Sequence, residues 1–562
     1  MQPTMRLARK VSAAACKVRE GLYIINMEGG ASALGFKGTS GKAGSLVLMC
    51  EPTGNTSQLW WILKSPGVKG AYIIESAHGG SVIAASSGTR DGSSVLLARY
   101  TGKKKQLWVP MRTADGKLTF TNAASGFALF VRDNSVVQKN LADGSFTAFT
   151  MSRRSPRATA TDIGLALKGL RDEGVVVEGV KWARNVKMPK SKVTATTAQG
   201  KSITGANIGA LLVQTIKVSK AFMRGFGSNP QAAFDELTSA IKEHGSASGN
   251  ILYRILLPKG TYQVRNTMHV YGNTWVDMRK GTVLKRAHDK GCMLRVGKPS
   301  MKVGGYRLAQ NLIVQGGTFD ANVRGGHKSA SSTFRLGHCR NVLIWGVKFK
   351  QVRTHMLEFS GVADATVQKC RFVDDGSMKA GDEAIQIECV STRKAASGFE
   401  RFDFTPCQNI VIAKNVFRGV NRGLGNHCSI RGRYDERILV KANTFSRTVN
   451  EAIDMPSTRH FIVARNKIKR CGAGISIQSM HPALFVPQKG VKTKVRSKAY
   501  GEVRGNRITT AKRGDLIAHF GISLMGLATG NAIYRLAAMT VIGNVVKACD
   551  GADIVKRYLS AS

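Results

Sequence analysis

The segment DDGSMKAGDEAIQIE, residues 374–388, carries Asp374, Asp375, Asp382, Glu383 and Glu388. Five acids in fifteen residues stand out in a chain with 35 Asp and Glu against 84 Lys and Arg. Four other short segments, HMLEFS, GLGNH, AIDMP and GISIQ, align with its AIQIE as strands of one repeating unit. Side chains alternate across a strand, so the shared apolar positions Leu357, Ile385, Leu424, Ile453 and Ile475 face inward. The outward set is then Glu358, Gln386, Glu388, Gly425, His427, Asp454, Ser476 and Gln478. Equivalent rungs lie about 4.8 Å apart, so Glu358, Glu388, His427 and Asp454 would share one face. Asp382 and Glu383 sit where a loop re-enters the rung, whereas Asp374 and Asp375 precede Gly376 in an ordinary turn pattern. His355 has the wrong parity for this face unless the strand begins after it.

Paired carboxylates predict general acid/base work on a glycosidic bond, one protonated and the other acting as base or nucleophile. The expected catalytic set is Glu358, Asp382, Glu383, Glu388, His427 and Asp454, with Gln386, Arg422, Arg431, Arg433 and Gln478 binding substrate. The alternative is β-elimination on an acidic glycan. His427 would then be the base, Arg422, Arg431 and Arg433 would neutralise a uronate, and the carboxylates could hold Ca²⁺. No calcium-loop motif is present, and no metal is expected for the hydrolase.

The elements that must position these residues repeat. Short strands end on Phe319, Phe349, Phe372, Phe417, Phe445, Ile468, Ile508 and Val546, at successive gaps of 30, 23, 45, 28, 23, 40 and 38. A coil of 22 or 23 residues, lengthened by loops, explains the series. Two positions before five of these closing residues stand Asn415, Asn443, Asn466, Asn506 and Asn544. Stacked coils would let their amides hydrogen-bond up and down a ladder, and stacking supplies the core that a single coil lacks. The pattern predicts a parallel β-helix over 229–555, entered through the amphipathic segment NPQAAFDELTSAIKEHG as an N-terminal capping helix. With LPKGTY and GGTFDAN downstream, this order resembles the right-handed β-helix proteins of the pectate lyase-like superfamily. EAIQIE, TPCQNIVIAKNVF and RGLGNHCSIRGRYDERI are similar to secreted members from Gram-positive bacteria. That superfamily spans lyases, glycoside hydrolases, epimerases and adhesins, so the resemblance implies the fold more than the chemistry.

A different repeat occupies residues 18–151. GLYIINMEGGASALGF, GAYIIESAHGGSVIAA and GKLTFTNAASGFALFV share a glycine, a strand, a turn and a second strand. The first two units end in QLWWI and QLWVP and the third in SFTAFTM, which resembles the ricin-type β-trefoil lectin domain. Trp60 and Trp108 are expected in the trefoil core. The resemblance implies a sugar-accepting acid near each second strand; only Asp133 fills such a place, with Asn55 as a polar partner near the first Gln-Trp. Between the repeats, 152–228 is rich in small and basic residues and is expected to be a linker.

The net charge of +49 is spread over the chain, +10 in 1–151, +10 in 152–230 and +29 in 231–562. Such a surface favours polyanions such as wall polymers or host glycans. No helix-turn-helix, zinc-finger or RNP pattern accompanies it, so specific nucleic-acid recognition is not expected. No apolar run reaches eighteen residues, so no membrane insertion is expected. The N-terminus shows no clear signal peptide, and a secreted or cell-surface location follows from the resemblance alone. Ten cysteines without a CxxC pair read as small buried hydrophobes.

The pattern as a whole is that of an all-β protein: an N-terminal trefoil, then a right-handed parallel β-helix. The expected function is glycan binding and glycan processing, with a glycoside hydrolase ahead of a lyase or a non-catalytic adhesin.

Overall fold

The computed structural model describes residues 13–557. It leaves out 38–42, 54, 66, 79–80, 88–89, 114–115, 141–145, 155–161, 211, 225–229 and 245–250. Also left out are 375, 393–395, 397, 427–428, 431–432, 480–484, 487–499, 513–518, 530–531, 537 and 550–552.

Six strands close the N-terminal barrel: Gly21–Met27, Leu59–Lys64, Tyr72–Ser76, Trp108–Thr113, Leu118–Asn122 and Phe149–Arg154. Each pairs antiparallel with the next, and the last returns to the first. Three hairpins complete the three units, each placed between the barrel strands of its own repeat. Trp60 and Trp108 are fully buried, and their indole N–H groups donate to Leu34 O at 2.8 Å and Ile83 O at 3.1 Å. Phe149 takes the equivalent core place in the third unit, which explains the weaker motif there. The preceding glutamines repeat one another's bonds. Gln58 accepts from Thr53 N and donates to Glu51 O, and Gln106 does the same with Thr101 N and Arg99 O. The Gln-x-Trp signature is therefore a turn lock plus a core plug.

Strand alternation turns Trp61 the opposite way from Trp60. It is fully buried in a cluster shared with Ile163, Leu167 and Leu170, its ring 6.2 Å from that of Trp182. The trefoil is thus seated on the Ile163–Trp182 segment.

The stretch expected to be a linker is built into the β-helix. Val175–Val177 and Lys181–Trp182 pair antiparallel with Leu212–Val218, which pairs parallel with Ile251–Leu257. Ala195–Thr196 and Ser202–Ile203 form a hairpin that lies up one sheet, covering Val411, Leu439 and Ile462 with Ile203 and Val193. Thr204 N donates to Asn409 Oδ1 at 2.7 Å and Ala198 N to Glu502 Oε1 at 2.8 Å, pinning this strap across several coils. The outer face it covers is apolar, which is why the strap has a folded place despite its polar composition. The helix Pro230–His244 buries Phe234, Leu237 and Ile241 in the same cluster as the first coils.

Each coil contributes three short parallel strands. The eight closing residues stand in one column, register-paired from Phe319 to Val546 without a break. Their phenylalanine rings stack, with centroids 4.7 Å apart for Phe372 and Phe417 and 4.4 Å for Phe417 and Phe445. The asparagine ladder runs beside them: Asn415, Asn443, Asn466 and Asn506 each donate Nδ2–H to the next Oδ1 at 2.8–3.1 Å. Each also satisfies a carbonyl of the coil below, so these buried amides leave few bonds unmade.

Candidate functional site

The aligned rungs are register partners. Leu357, Ile385, Leu424, Ile453 and Ile475 form one inward column, and Glu358 faces Gln386 while Asp454 faces Ser476. The strand Glu383–Glu388 begins with an irregularity that parity alone does not show. Ala384 and Ile385 are both in the core, so Glu383 before them points back to the outer face. The same offset recurs on the next two rungs, where Arg422 and Glu451 precede Gly423–Leu424 and Ala452–Ile453. The triplets EAI, RGL and EAI thus place an acid, a base and an acid one above another.

Arg422 is the centre of this group. Its Nε donates to Glu451 Oε2 at 2.8 Å and its Nη1 to Glu383 Oε1 at 2.9 Å, with Asp454 Oδ2 3.9 Å from Nη1. Gly425 makes the room, since a Cβ there would stand 2.6 Å from Glu383 Cγ. His355 precedes its strand, which starts at Leu357, and so escapes the parity objection. Its Nδ1 lies 3.4 Å from Glu383 Oε2 and its Nε2 3.8 Å from Asp382 Oδ1. Gln478 donates to Asp454 Oδ1 at 3.2 Å.

Burial, then the like charges of Glu451 and Glu383, pushes the Asp454 carboxyl up to about 7 against the pull of Arg422. Burial disfavours the Arg422 cation, but Glu451, Asp454 and Glu383 more than reverse this and keep it charged. Contacts of 2.9 and 3.9 Å to one Nη1 atom cap the Glu383 to Asp454 oxygen separation at 6.8 Å.

Glu358 belongs to a second group. It accepts from Arg335 at 2.5 Å, from Ser332 at 2.5 Å and from Ser360 at 3.1 Å. Burial raises its carboxyl, but Arg335, with His355 and Ser332, outweighs this and holds it below the usual carboxylate range. Arg295 and Arg335 both lie against the ring of Phe399, which rests on Gly337, and Gly398 O accepts from Arg295 at 2.6 Å. Gly398 and Phe399, from the insertion after Glu388, therefore fold over the face. Glu388 is buried one strand position from this group, and its charge is felt at Arg335.

Several expectations change. The residues expected to face outward are covered: Glu358, Gln386 and Asp454 are 2–5% exposed and Glu383 and Glu388 fully buried. Loops and arginines cover them. Asp374 is a turn cap, accepting from the backbone of Gly376, Ser377 and Met378. Arg433 is exposed and makes no ion pair with these acids among the described residues. Asp133 and Asn134, with φ of 48° and 62°, form the two-residue turn of a hairpin, which accounts for Asp133 without a sugar. Asn55 is exposed in the loop before Gln58 and shares no hydrogen bond with Asp133 among the described residues. His427, Arg431 and Asp375 lie outside the described residues. Arg422 lies among the carboxylates of Glu383, Glu451 and Asp454. No group of three or more His, Cys, Asp or Glu side chains that could hold a metal ion occurs among the described residues. Glu451, Arg335 and His355 lie outside the expected set; the EAI–RGL–EAI order is the signal that points to Glu451.

The molecule is a β-trefoil joined to a right-handed parallel β-helix. Residues 57–144 match the ricin-type beta-trefoil lectin domain-like family, and residues 334–486 match the right handed beta helix region family. No curated protein matches the chain. Among solved structures it is similar to ThreeFoil, a designed threefold-symmetric protein, at 23% identity over 24% of this chain and 99% of that one, TM-score 0.23. It is also similar to PfbA, a surface adhesin of Streptococcus pneumoniae, at 15% identity over 60% of this chain and 91% of that one, TM-score 0.38. A third is the A-module of the mannuronan C-5 epimerase AlgE6 of Azotobacter vinelandii, at 14% identity over 59% and 86%, TM-score 0.38.

Proposed function

We propose that the protein is a cell-surface glycan-processing protein, a β-helix glycoside hydrolase carried to its substrate by a lectin-like trefoil. The observation that supports this reading most is the pair formed by Asp454 and Glu383. A carboxyl held protonated near neutral pH is suited to donate a proton to a glycosidic oxygen. A second carboxyl within 6.8 Å, ion-paired to Arg422, is suited to act as nucleophile or to activate water. Carboxyl separations of about 5–5.5 Å accompany retention and about 6.5–9.5 Å inversion, and the 6.8 Å bound is compatible with both. Arg422 contacts both acids, and Gln478 orients Asp454. The matched trefoil family supports a glycan as the ligand that the first domain holds.

The burial of the whole group favours one other reading, a non-catalytic adhesin in which the ion pairs only hold adjacent coils together. At 3% exposure Asp454 meets a substrate only when its cover parts. Incubation of the full chain with a panel of neutral and acidic polysaccharides separates the two. New reducing ends without an ultraviolet-absorbing unsaturated product support hydrolysis, and an unsaturated product identifies a lyase. Binding with no cleavage of any glycan overturns the hydrolase in favour of the adhesin.

A further inference from the structure

The carboxylate group occupies one sheet of the β-helix. A different face of the coil carries charge of the opposite sign. Its strands read KFK, RFV, VFR, TFS, KIKRC, RITT and VVK in successive coils, with no acidic residue in any of them. The second residue of the first six is the buried Phe or Ile of the closing column, so the flanking positions point out. Arg371, Arg418, Lys467, Lys469, Arg507 and Lys547 are exposed there, and none forms an ion pair among the described residues. Net charge alone does not require this. Elsewhere on the β-helix a half-buried cation finds an acid, as in Arg459 with Glu436 at 2.8 Å; on this face Lys350, in its first strand, is paired with Asp320 at 2.8 Å.

The edge of this face is concave. Where it meets the strap, a groove of about 280 Å³ runs between Ala195 and the coil corners. Leu439, Ile462 and Ala464 line it as an apolar floor, and Lys441, Arg465 and Arg504 supply cations from three successive coils. Arg504 is partly neutralised by Glu502 at 3.3 Å, whereas Lys441 and Arg465 have no acid partner among the described residues. Successive coils are about 4.8 Å apart, and Lys441 and Arg504 stand in one register column with Arg465 one position beyond it on the coil between.

We propose that this groove and the basic face beside it bind a linear anionic polysaccharide, one carrying a carboxylate or sulfate on most of its sugars. The cations recognise repeated charge; Leu439 and Ile462 beneath them are covered by the strap and fix the base of the groove. Single-stranded nucleic acid fits less well, because its binding sites combine cations with aromatic platforms for the bases and no aromatic side chain lines this groove. The strap contributes one wall, which gives the 188–210 segment a role beyond covering apolar surface. This face is separate from Glu383, Arg422 and Asp454, so the proposal stands or fails independently of the hydrolytic reading.

The test is calorimetric titration of the full chain with size-fractionated polygalacturonate and heparin. Neutral dextran and single-stranded DNA of similar length serve as comparators. The variants are Lys441→Ala/Arg465→Ala and, as a control of equal charge change, Lys168→Ala/Arg171→Ala at exposed positions near the trefoil seat. Binding to at least one anionic polysaccharide, weakened roughly five- to tenfold by the groove pair with a smaller salt dependence and left intact by the control pair, supports the proposal. Equal weakening by both pairs, tighter binding of DNA, or no binding of either polyanion overturns it.

Discussion

Glu383 and Arg422 stand opposite each other on adjacent rungs of the β-helix, joined by a 2.9 Å ion pair in a largely buried setting. Removing one member of a buried pair leaves the other charge uncompensated, which costs far more than the pair contributes. Arg422→Ala would strand Glu383 and Glu451 and raise the Asp454 carboxyl further. Its expected loss is about 3–5 kcal/mol, read by chemical denaturation of the β-helix, with Arg422→Lys losing less.

Stability should also depend on pH through Asp454. Its folded carboxyl titrates at about 7, above the value of about 3.9 for an unfolded Asp, so the folded state binds the extra proton between these limits. The stabilisation is fully present below the unfolded value and is lost as pH rises through about 7. Melting temperature of the wild type should fall between pH 5 and 8, and Asp454→Asn should flatten that slope. Glu358, shifted the other way, contributes stability that is present above the unfolded value and lost only in acid.

The asparagine ladder gives a prediction outside the site. Asn443 is 1% exposed and links Asn415 to Asn466 while bonding Ile412 O. Asn443→Ala leaves several buried polar groups unmet and should cost at least about 2 kcal/mol, whereas Asn544→Ala at the exposed end of the ladder should cost less. Denaturant midpoints of the two variants test the order.

Trp60 and Trp61 should separate two kinds of damage. Trp60→Ala empties the trefoil barrel and should unfold that domain, at about 3–5 kcal/mol for a buried Trp. Trp61→Ala removes the contact with Trp182 and the Ile163–Leu170 cluster, and should leave the barrel folded while the trefoil swings from its seat. Near-ultraviolet dichroism reports the first effect and a rise in radius of gyration by X-ray scattering the second.

Much of the scaffold is legible because repetition exposes it. Eight apolar residues at irregular gaps prove to be one unbroken column, and five asparagines prove to be one ladder. Strand parity recovers which rung residues face the core. It stops at the corner, where Ala384 and Ile385 both turn inward and carry Glu383 to the outer face. The strap is hidden for a different reason. Its residues are small and polar, and its place depends on the apolar outer surface of Val411, Leu439 and Ile462 far away in the chain. The cover over Glu358 is hidden likewise, since nothing local marks Phe399 as the ring that packs on Gly337 and two arginines.

The proton held by Asp454 beside Glu383 is the centre of the proposed chemistry. Its most direct test is the pH–rate profile for hydrolysis of the best glycan substrate by the wild type and by folded Asp454→Asn. The expected result is a wild-type rate that declines above about pH 7 and a variant slower by about 10²–10⁴-fold at every pH. A variant that cleaves the glycan at the wild-type rate would contradict it.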